Sequence, residues 1–317
     1  IDQANKVEHW FIQQMLSGGS HKWQRIAGWE LQSIQPNSPS YTSTTATQRG
    51  AVFMRSKWQF ESDELIIKLR QDLSGDQMGV PVVTTIYTGE LSRSLGYFAG
   101  AGTLFRWPSL DDLYWNPGGD PTIKPEYGWN AEAGLSWNVP DLEYQNVHLS
   151  LTTFFRKHVD AIQWYPDGTL WYAGNRGTLR TLGLIFQTEW EYRNKGWFAD
   201  VLANFQYVRS DRIDNNDGIQ EIYVPKFSGA FEAAAGKGRW AIHCNHNYRS
   251  ERHFLNDESS VLPGVFLSDF AVSYELPVRS YALQIQIGGR NIGDVEHEWV
   301  INRPLPGRTY YLSLKIH

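Results

Sequence analysis

Four large aromatics crowd one short stretch, Ile162-Gln163-Trp164-Tyr165-Pro166-Asp167-Gly168-Thr169-Leu170-Trp171-Tyr172. Trp164, Tyr165, Trp171 and Tyr172 flank a Pro-Asp-Gly turn. Rings placed this way can grip a large, flat or amphipathic ligand, or a partner protein. The plainer use of the same rings is an interfacial belt in which they also pack on one another. Tyr114 and Trp115, and later His297, Trp299 and Arg303, pose the same choice. These nine residues are the candidate ligand-binding set.

Other reactive side chains make weaker cases. Asp111-Asp112 lies beside Pro108 and Leu110 and reads as a solvated, capping turn rather than a catalytic pair. Glu189 and Glu191 are two apart, so on a strand they share one face. That makes a polar wall, which counter-charges such as Arg156 can neutralise. Ser210-Asp211-Arg212-Ile213-Asp214-Asn215-Asn216-Asp217-Gly218 carries oxygen ligands that suit calcium. Counting back from Gly218, however, puts Ile213 at the first ligand position of an EF-hand. An exposed hairpin loop ending in Asp-Gly fits better. His243 and His246, three apart on a strand, point to opposite faces and cannot easily share a metal. No Gly-x-Ser-x-Gly elbow is present for a Ser-His-Asp enzyme. The expectation is no catalytic residue, no metal site and no cofactor. Cys244 is the one cysteine, which excludes an internal disulfide and a cysteine-based zinc cage. It sits on the apolar face of Trp240-Ala241-Ile242-His243-Cys244 and reads as a packed thiol.

The elements that must carry these residues are strands. Period-two alternation marks them at 6–16, 22–35, 48–60, 63–72, 80–90, 95–106, 127–139, 145–158, 181–192, 197–209, 222–235, 238–250, 264–276, 280–291 and 307–316. In the last strand Tyr310, Leu312, Leu314 and Ile316 oppose Thr309, Tyr311, Ser313 and Lys315. No convincing helix competes.

Connections alternate short and long, which is the habit of an outer-membrane barrel with short periplasmic turns and long extracellular loops. No stretch approaches the roughly 20 apolar residues of a membrane helix, but a barrel strand needs only one apolar face. Fourteen Trp, 16 Tyr and 15 Phe supply the interfacial girdles such a barrel uses. A net charge of -5 and the lack of a long basic run argue against nucleic acid as a partner. The predicted class is all-β, an antiparallel transmembrane β-barrel, with a lectin-like soluble sandwich as the plain alternative. The N-terminal Ile1-Asp2-Gln3-Ala4-Asn5 has no Met and no export signal, so the chain reads as a mature or truncated piece.

Three segments then resemble the TonB-dependent outer-membrane receptors. Leu104-Phe105-Arg106-Trp107-Pro108-Ser109-Leu110-Asp111-Asp112-Leu113-Tyr114-Trp115, followed by Asn116-Pro117-Gly118-Gly119-Asp120-Pro121-Thr122-Ile123-Lys124-Pro125-Glu126, is similar to a Phe-Arg-x-Pro-Ser/Thr-Leu-x-x-Leu-Tyr segment with its Asn-Pro-x-Leu-Lys-Pro-Glu sequel. Gly289-Arg290-Asn291-Ile292-Gly293-Asp294 and Arg303-Pro304-Leu305-Pro306-Gly307-Arg308-Thr309-Tyr310 resemble the family's closing loop and last strand. Arg176-Gly177-Thr178-Leu179-Arg180-Thr181-Leu182-Gly183-Leu184 resembles an intervening strand start. The wording Leu-Tyr-Trp-x-Pro-Gly-Gly looks most like the cobalamin-receptor branch.

The resemblance implies the last fifteen or so strands of a 22-stranded barrel, with residues 1–317 one barrel domain lacking the N-terminal plug and first strands. An odd strand count, with residue 1 outside the cell, points the same way. It implies active uptake of a scarce, large nutrient such as cobalamin, an iron chelate or haem, and no enzyme. Implied partners are outer-membrane lipid, lipopolysaccharide, TonB acting through the absent plug, and a surface lipoprotein or other envelope subunit. The family usually ends on an aromatic residue, whereas this chain ends Lys315-Ile316-His317. A self-closed porin of 14 or 16 strands and a receptor-derived scaffold are the alternatives.

Overall fold

The computed structural model describes residues 6–140, 142–213, 220–255, 260–278 and 281–316. In chain order the elements begin with β1 (Lys6–Ser20), β2 (Trp23–Asn37), β3 (Thr47–Gln59), β4 (Glu64–Ser74), β5 (Gln77–Met78), β6 (Val82–Ser92) and β7 (Leu95–Arg106). Next come α1 (Leu110–Tyr114), β8 (Glu126–Asn138), β9 (Gln145–Val159), β10 (Ile162–Asp167), β11 (Leu170–Asn175), β12 (Leu179–Asn194) and β13 (Trp197–Arg212). The last are β14 (Phe227–Lys237), β15 (Trp240–Arg249), β16 (Arg252–His253), β17 (Val261–Leu262), β18 (Val265–Val278), β19 (Tyr281–Arg290) and β20 (Thr309–Ile316).

One antiparallel wall runs β1-β2-β3-β4-β6-β7-β8-β9-β12-β13-β14-β15-β18-β19-β20, each strand beside its sequence neighbour in the wall. All fifteen expected strands are present. β5 is a stub on β4, and the pairs β10-β11 and β16-β17 form two small separate sheets. Among the described residues β1 pairs only with β2 and β20 only with β19, so the wall has two free edges.

The register sorts side chains by chemistry. Leu184 stands opposite Thr153 and Tyr207, and Phe186 opposite Leu151 and Phe205. The next residue, Gln187, aligns with Ser150 and Asn204. One face is therefore apolar and the other polar, as a two-residue period requires. The apolar face is bare: Tyr310, Leu312, Leu314 and Ile316 are 62–73% exposed. Side chains that large on a broad exposed face need a non-aqueous cover. Trp23, Trp137, Trp197 and Trp240 cluster at the ends joined by short turns, while Tyr127 and Trp129 lie near the ends joined by long loops.

Three expectations change. α1 exists, although no helix was expected. It is too short for periodicity to betray, and its capping box defines it: Asp112 N donates to Ser109 Oγ at 3.1 Å and Ser109 N to Asp112 Oδ2 at 2.9 Å. Asp112 caps as expected but is buried rather than solvated, because the roof described below closes over it. Arg156 does not neutralise Glu189. Glu189 stands opposite His148, eight positions along β9 from Arg156, whose guanidinium lies 5.1 Å from the Phe154 ring centroid. The aromatic stretch at 162–172 forms the hairpin β10-β11 around its Pro-Asp-Gly turn.

His243 and His246 do point to opposite faces. His243 shares a 2.8 Å hydrogen bond with Ser273 inside, and His246 a 2.9 Å bond with Ser268 outside. Cys244 pairs in register with Ala233 and Phe270 on the outer face and is half-buried. The acidic turn at 214–218 lies outside the described residues, as does His317.

Candidate ligand-binding mouth

The long connections fold over the end of the wall where they emerge. Their centre is the loop between β7 and β8, which carries α1. Asp112 receives three donors. Trp164 Nε1 donates to Oδ1 at 3.0 Å, while Arg106 Nη1 reaches Oδ2 at 3.3 Å and the Ser109 amide completes the cap. Arg106 also forks onto Glu126 at 3.0 and 3.4 Å and donates to the Ile162 carbonyl at 3.2 Å. Glu126 in turn accepts the Ile162 amide at 2.8 Å. Two carboxylates and one guanidinium thus bolt hairpin β10-β11 to the end of β7 and the start of β8. Charge-assisted bonds of this kind are roughly twice as strong as neutral ones.

Apolar packing completes the roof. Ile123, Ile162 and Ala173 form a buried cluster, with Leu113 and Trp164 against it. Ala173 N donates to the Gly118 carbonyl at 2.7 Å. The side chain of Asn175 staples Lys124 N at 2.8 Å and the carbonyls of Lys124 and Asp160 at 2.9 and 2.7 Å. Gly118 has φ +116° and presses on the hairpin, where a methyl group would sit 2.0 Å from the Trp171 carbonyl oxygen and 2.9 Å from Trp164. Both the conformation and the space require glycine here. Gly118→Ala is expected to push the hairpin off α1, exposing Trp164. Its tryptophan emission will shift to the red and acrylamide will quench it more readily than in the parent.

The loop between β2 and β3 locks on from the other side. Thr42 N donates to the Tyr114 carbonyl at 2.8 Å, Asn116 N to Ser40 O at 2.8 Å, and Tyr41 packs edge-on to Trp115 at 5.5 Å. Tyr41 OH donates to Asp111 Oδ1 at 2.5 Å. Burial, then the Asp111 hydrogen bond and charge, push the Tyr41 phenol up to about 12. A folded-state value above the free phenol's means the contact contributes fully below about pH 10. It is lost as pH rises through about 12. Alkaline titration of phenolate absorbance is therefore expected to lose one phenol from its late-titrating fraction in Tyr41→Phe relative to the parent.

A second cluster forms across the long connections after β13, β15 and β19. Trp299 lies under two guanidiniums, Arg249 at 4.2 Å and Arg252 at 5.2 Å. Neither arginine pairs with a carboxylate among the described residues. Arg252 gives Nη2 to the Glu298 carbonyl at 3.0 Å, while its Nε is buried without a partner. Burial and then the Arg249 charge lower the Arg252 pKa. Tyr223 stands near Trp171 with ring centroids 6.3 Å apart, and its amide donates to His253 O at 2.7 Å. Burial raises the Tyr223 phenol, and a backbone bond from Ile301 works the other way.

The nine sequence candidates thus divide. Trp164 is a roof bolt packed inward, and Tyr114 serves through its carbonyl. Trp115 packs on Tyr41. Tyr165 and Tyr172 face each other across the hairpin, and Arg176 lies 4.1 Å over Tyr165. Trp171 is exposed at 38%. His297 and Trp299 meet edge to face at 5.4 Å, whereas Arg303 is exposed and its amide donates to the Val300 carbonyl. Arg249, Arg252 and Tyr223 were missed. Each lies far in sequence from Trp299 or Trp171, and only Arg106 had a signal, in the Phe-Arg segment.

The profile of the family described as "TonB dependent receptor-like, beta-barrel" matches residues 8–292. A vitamin B12 transporter, BtuB, of Photobacterium profundum is 28% identical over 169 residues, covering 51% of this chain and 25% of that protein. The copper transporter OprC superposes with a TM-score of 0.74 at 16% identity, covering 98% of this chain and 56% of that one. The ferric enterobactin receptor PfeA from Pseudomonas aeruginosa gives 0.77 at 13%, covering 97% and 53%. The chain spans about half the length of these solved structures.

Proposed function

Because this chain belongs to the TonB-dependent receptor family, we propose that it forms much of the barrel wall and mouth of an outer-membrane transporter taking up a scarce, large solute. The members it resembles are transporters and receptors, not enzymes, and the family resides in the Gram-negative outer membrane. In this reading residues 1–317 are one barrel domain. Further strands of the intact protein close the two free edges, and a plug fills the lumen and takes the pull of TonB. The single observation carrying the reading is the two-ended wall. Short turns close one end, while at the other the long connections build a roof of arginines and aromatics around Asp112 and Trp299. A lumen this wide needs a gate to be selective, and such a roof supplies the capture surface.

The resemblance to BtuB favours cobalamin among the solutes handled by such receptors, ahead of iron chelates and copper. The ligand-contacting residues are placed at Trp171, Tyr172, Trp299 and Arg303, extended to Tyr223, Arg249 and Arg252. Trp164 supports them from behind. The test is equilibrium binding of cyanocobalamin, a ferric catecholate and copper(II) to the purified intact protein. Saturable cobalamin binding that requires Trp299 supports the reading. No binding of any of the three, with no uptake in a TonB-proficient host, would sink it in favour of a scaffold subunit.

A further inference from the structure

Among the described wall residues, six phenyl or phenol rings face the polar, lumen side: Phe11, Phe53, Phe98, Phe154, Phe198 and Tyr311. Five of them stand directly opposite a glycine. Phe53 meets Gly28, Phe98 meets Gly134, Phe154 meets Gly183, Phe198 meets Gly236 and Tyr311 meets Gly288. Glycine is only 28 of 317 residues, so five matched pairs are not an accident of composition. None of these glycines has a positive φ. What each supplies is the space of a missing side chain. A methyl group built on any of them would lie 2.2–2.7 Å from the opposing ring. The rings therefore fill the Cβ space of the neighbouring strand and lie along the wall instead of standing in the lumen. Arginines cover three of them: the guanidinium of Arg156 is 5.1 Å from the Phe154 ring centroid, that of Arg193 5.6 Å from Phe198, and that of Arg290 5.4 Å from Tyr311. Glycine by itself weakens a strand, and an aromatic cross-strand partner restores the loss.

Phe11 is the exception. It stands opposite Gln32 of β2, and its other side is the free edge of β1. It is 51% exposed, whereas the five seated rings are half-buried. We propose that the seated rings are the register lock of this wall, and that the strand covering β1 in the intact protein carries a glycine directly opposite Phe11. A slip of two residues keeps every side chain on its own face, so polarity alone does not prevent it. The same slip sets the rings against Cβ atoms, which does. β20 cannot supply the missing glycine, because its lumen-side residues are Thr309, Tyr311, Ser313 and Lys315. A lumen whose contents move during transport also needs a wall held in register without them, and rings laid flat leave that space clear. The existence of a covering strand rests on the transporter reading; the glycine in it rests on the five seats.

The test places the photoreactive residue p-benzoylphenylalanine at position 11 of the intact protein in lipid vesicles and maps the crosslink by mass spectrometry. The same residue at position 154 is the control and should react at or beside Gly183. The expected product joins position 11 to a glycine, or a residue next to one, in a strand outside residues 1–317. A product within Thr309–Ile316 would mean that the wall closes on itself, which overturns both this inference and the transporter reading. A product on an outside strand with no glycine there, or no product at 11 while 154 reacts, overturns the seat and leaves the transporter reading standing. The lock itself is read from urea midpoints of the protein refolded into vesicles. Gly183→Ala and Phe154→Ala are each expected to lower the midpoint, and the double variant to fall no further than the worse single one. Losses that simply add would show that ring and glycine do not act as a unit, and the lock would be abandoned.

Discussion

Asp112→Ala will unfasten the roof of the mouth while leaving the wall intact. The carboxylate is 4% exposed and takes the Trp164 indole, the Arg106 guanidinium and the Ser109 amide. Removing it strands the Trp164 indole N–H and the Ser109 amide, reduces the capping box to its Ser109 half, and leaves Arg106 to Glu126 and the Ile162 carbonyl. Losing one partner of a buried charged network costs about 3–5 kcal/mol. The partial exposure of Arg106, 44%, places this case near the lower end. Opening the roof would then be on the order of 100-fold more frequent, which hydrogen exchange at the Ala173 amide reads directly. Asp112→Asn keeps one acceptor and should fall between. Asp111→Ala should be mild, since Asp111 is exposed and its side chain accepts from Tyr41. Equal exchange in Asp112→Ala and the parent would show that the apolar cluster of Ile123, Ile162 and Ala173 holds the roof by itself.

Phe186→Arg will destabilise the inserted wall by about 2–4 kcal/mol, the cost of arginine near the bilayer midplane on the lipid face of a barrel. Phe186 lies midway along the outer face of β12, between Arg180 at one end and Trp190 and Tyr192 at the other. Its register neighbours are Leu151 and Phe205. Gln187→Arg, one residue on, puts the same charge inside beside Ser150 and Asn204 and should cost almost nothing. The measurement is the urea midpoint of both variants refolded into lipid vesicles. A pair of similar midpoints would mean that the assigned faces are wrong, because a one-residue step reverses every side chain.

The wall was readable because each strand carries its own two-residue alternation, and β12 or β20 needs no distant contact to reveal which side is apolar. Connection lengths were readable for the same reason, as remainders between strands. The mouth was much less readable. The aromatics at 164, 165, 171 and 172 were visible, yet their division into a bolt and an exposed edge depends on Asp112 and Gly118, some 50 positions upstream. Asp112 looked solvated because burial there is imposed by Trp164 and Arg106, not by its neighbours. α1 is a single turn, stabilised by two reciprocal side-chain bonds rather than by an apolar stripe. Arg249 and Arg252 gained meaning only when the loop after β19 brought Trp299 beneath them.

Each strand of the wall lies beside the wall strands that precede and follow it in chain order, the two end strands beside one each, with no strand crossing over another. A protein built this way can be assembled and edited like a zip fastener. Each hairpin adds its ladder onto a completed edge, so ordering never requires closing a long stretch of chain before any bond is gained. It also means that insertion or removal of one whole hairpin would leave the register of every remaining pair untouched. Circumference is thereby free to change by gene duplication or deletion, one hairpin at a time, while the loops at the mouth diversify independently of it.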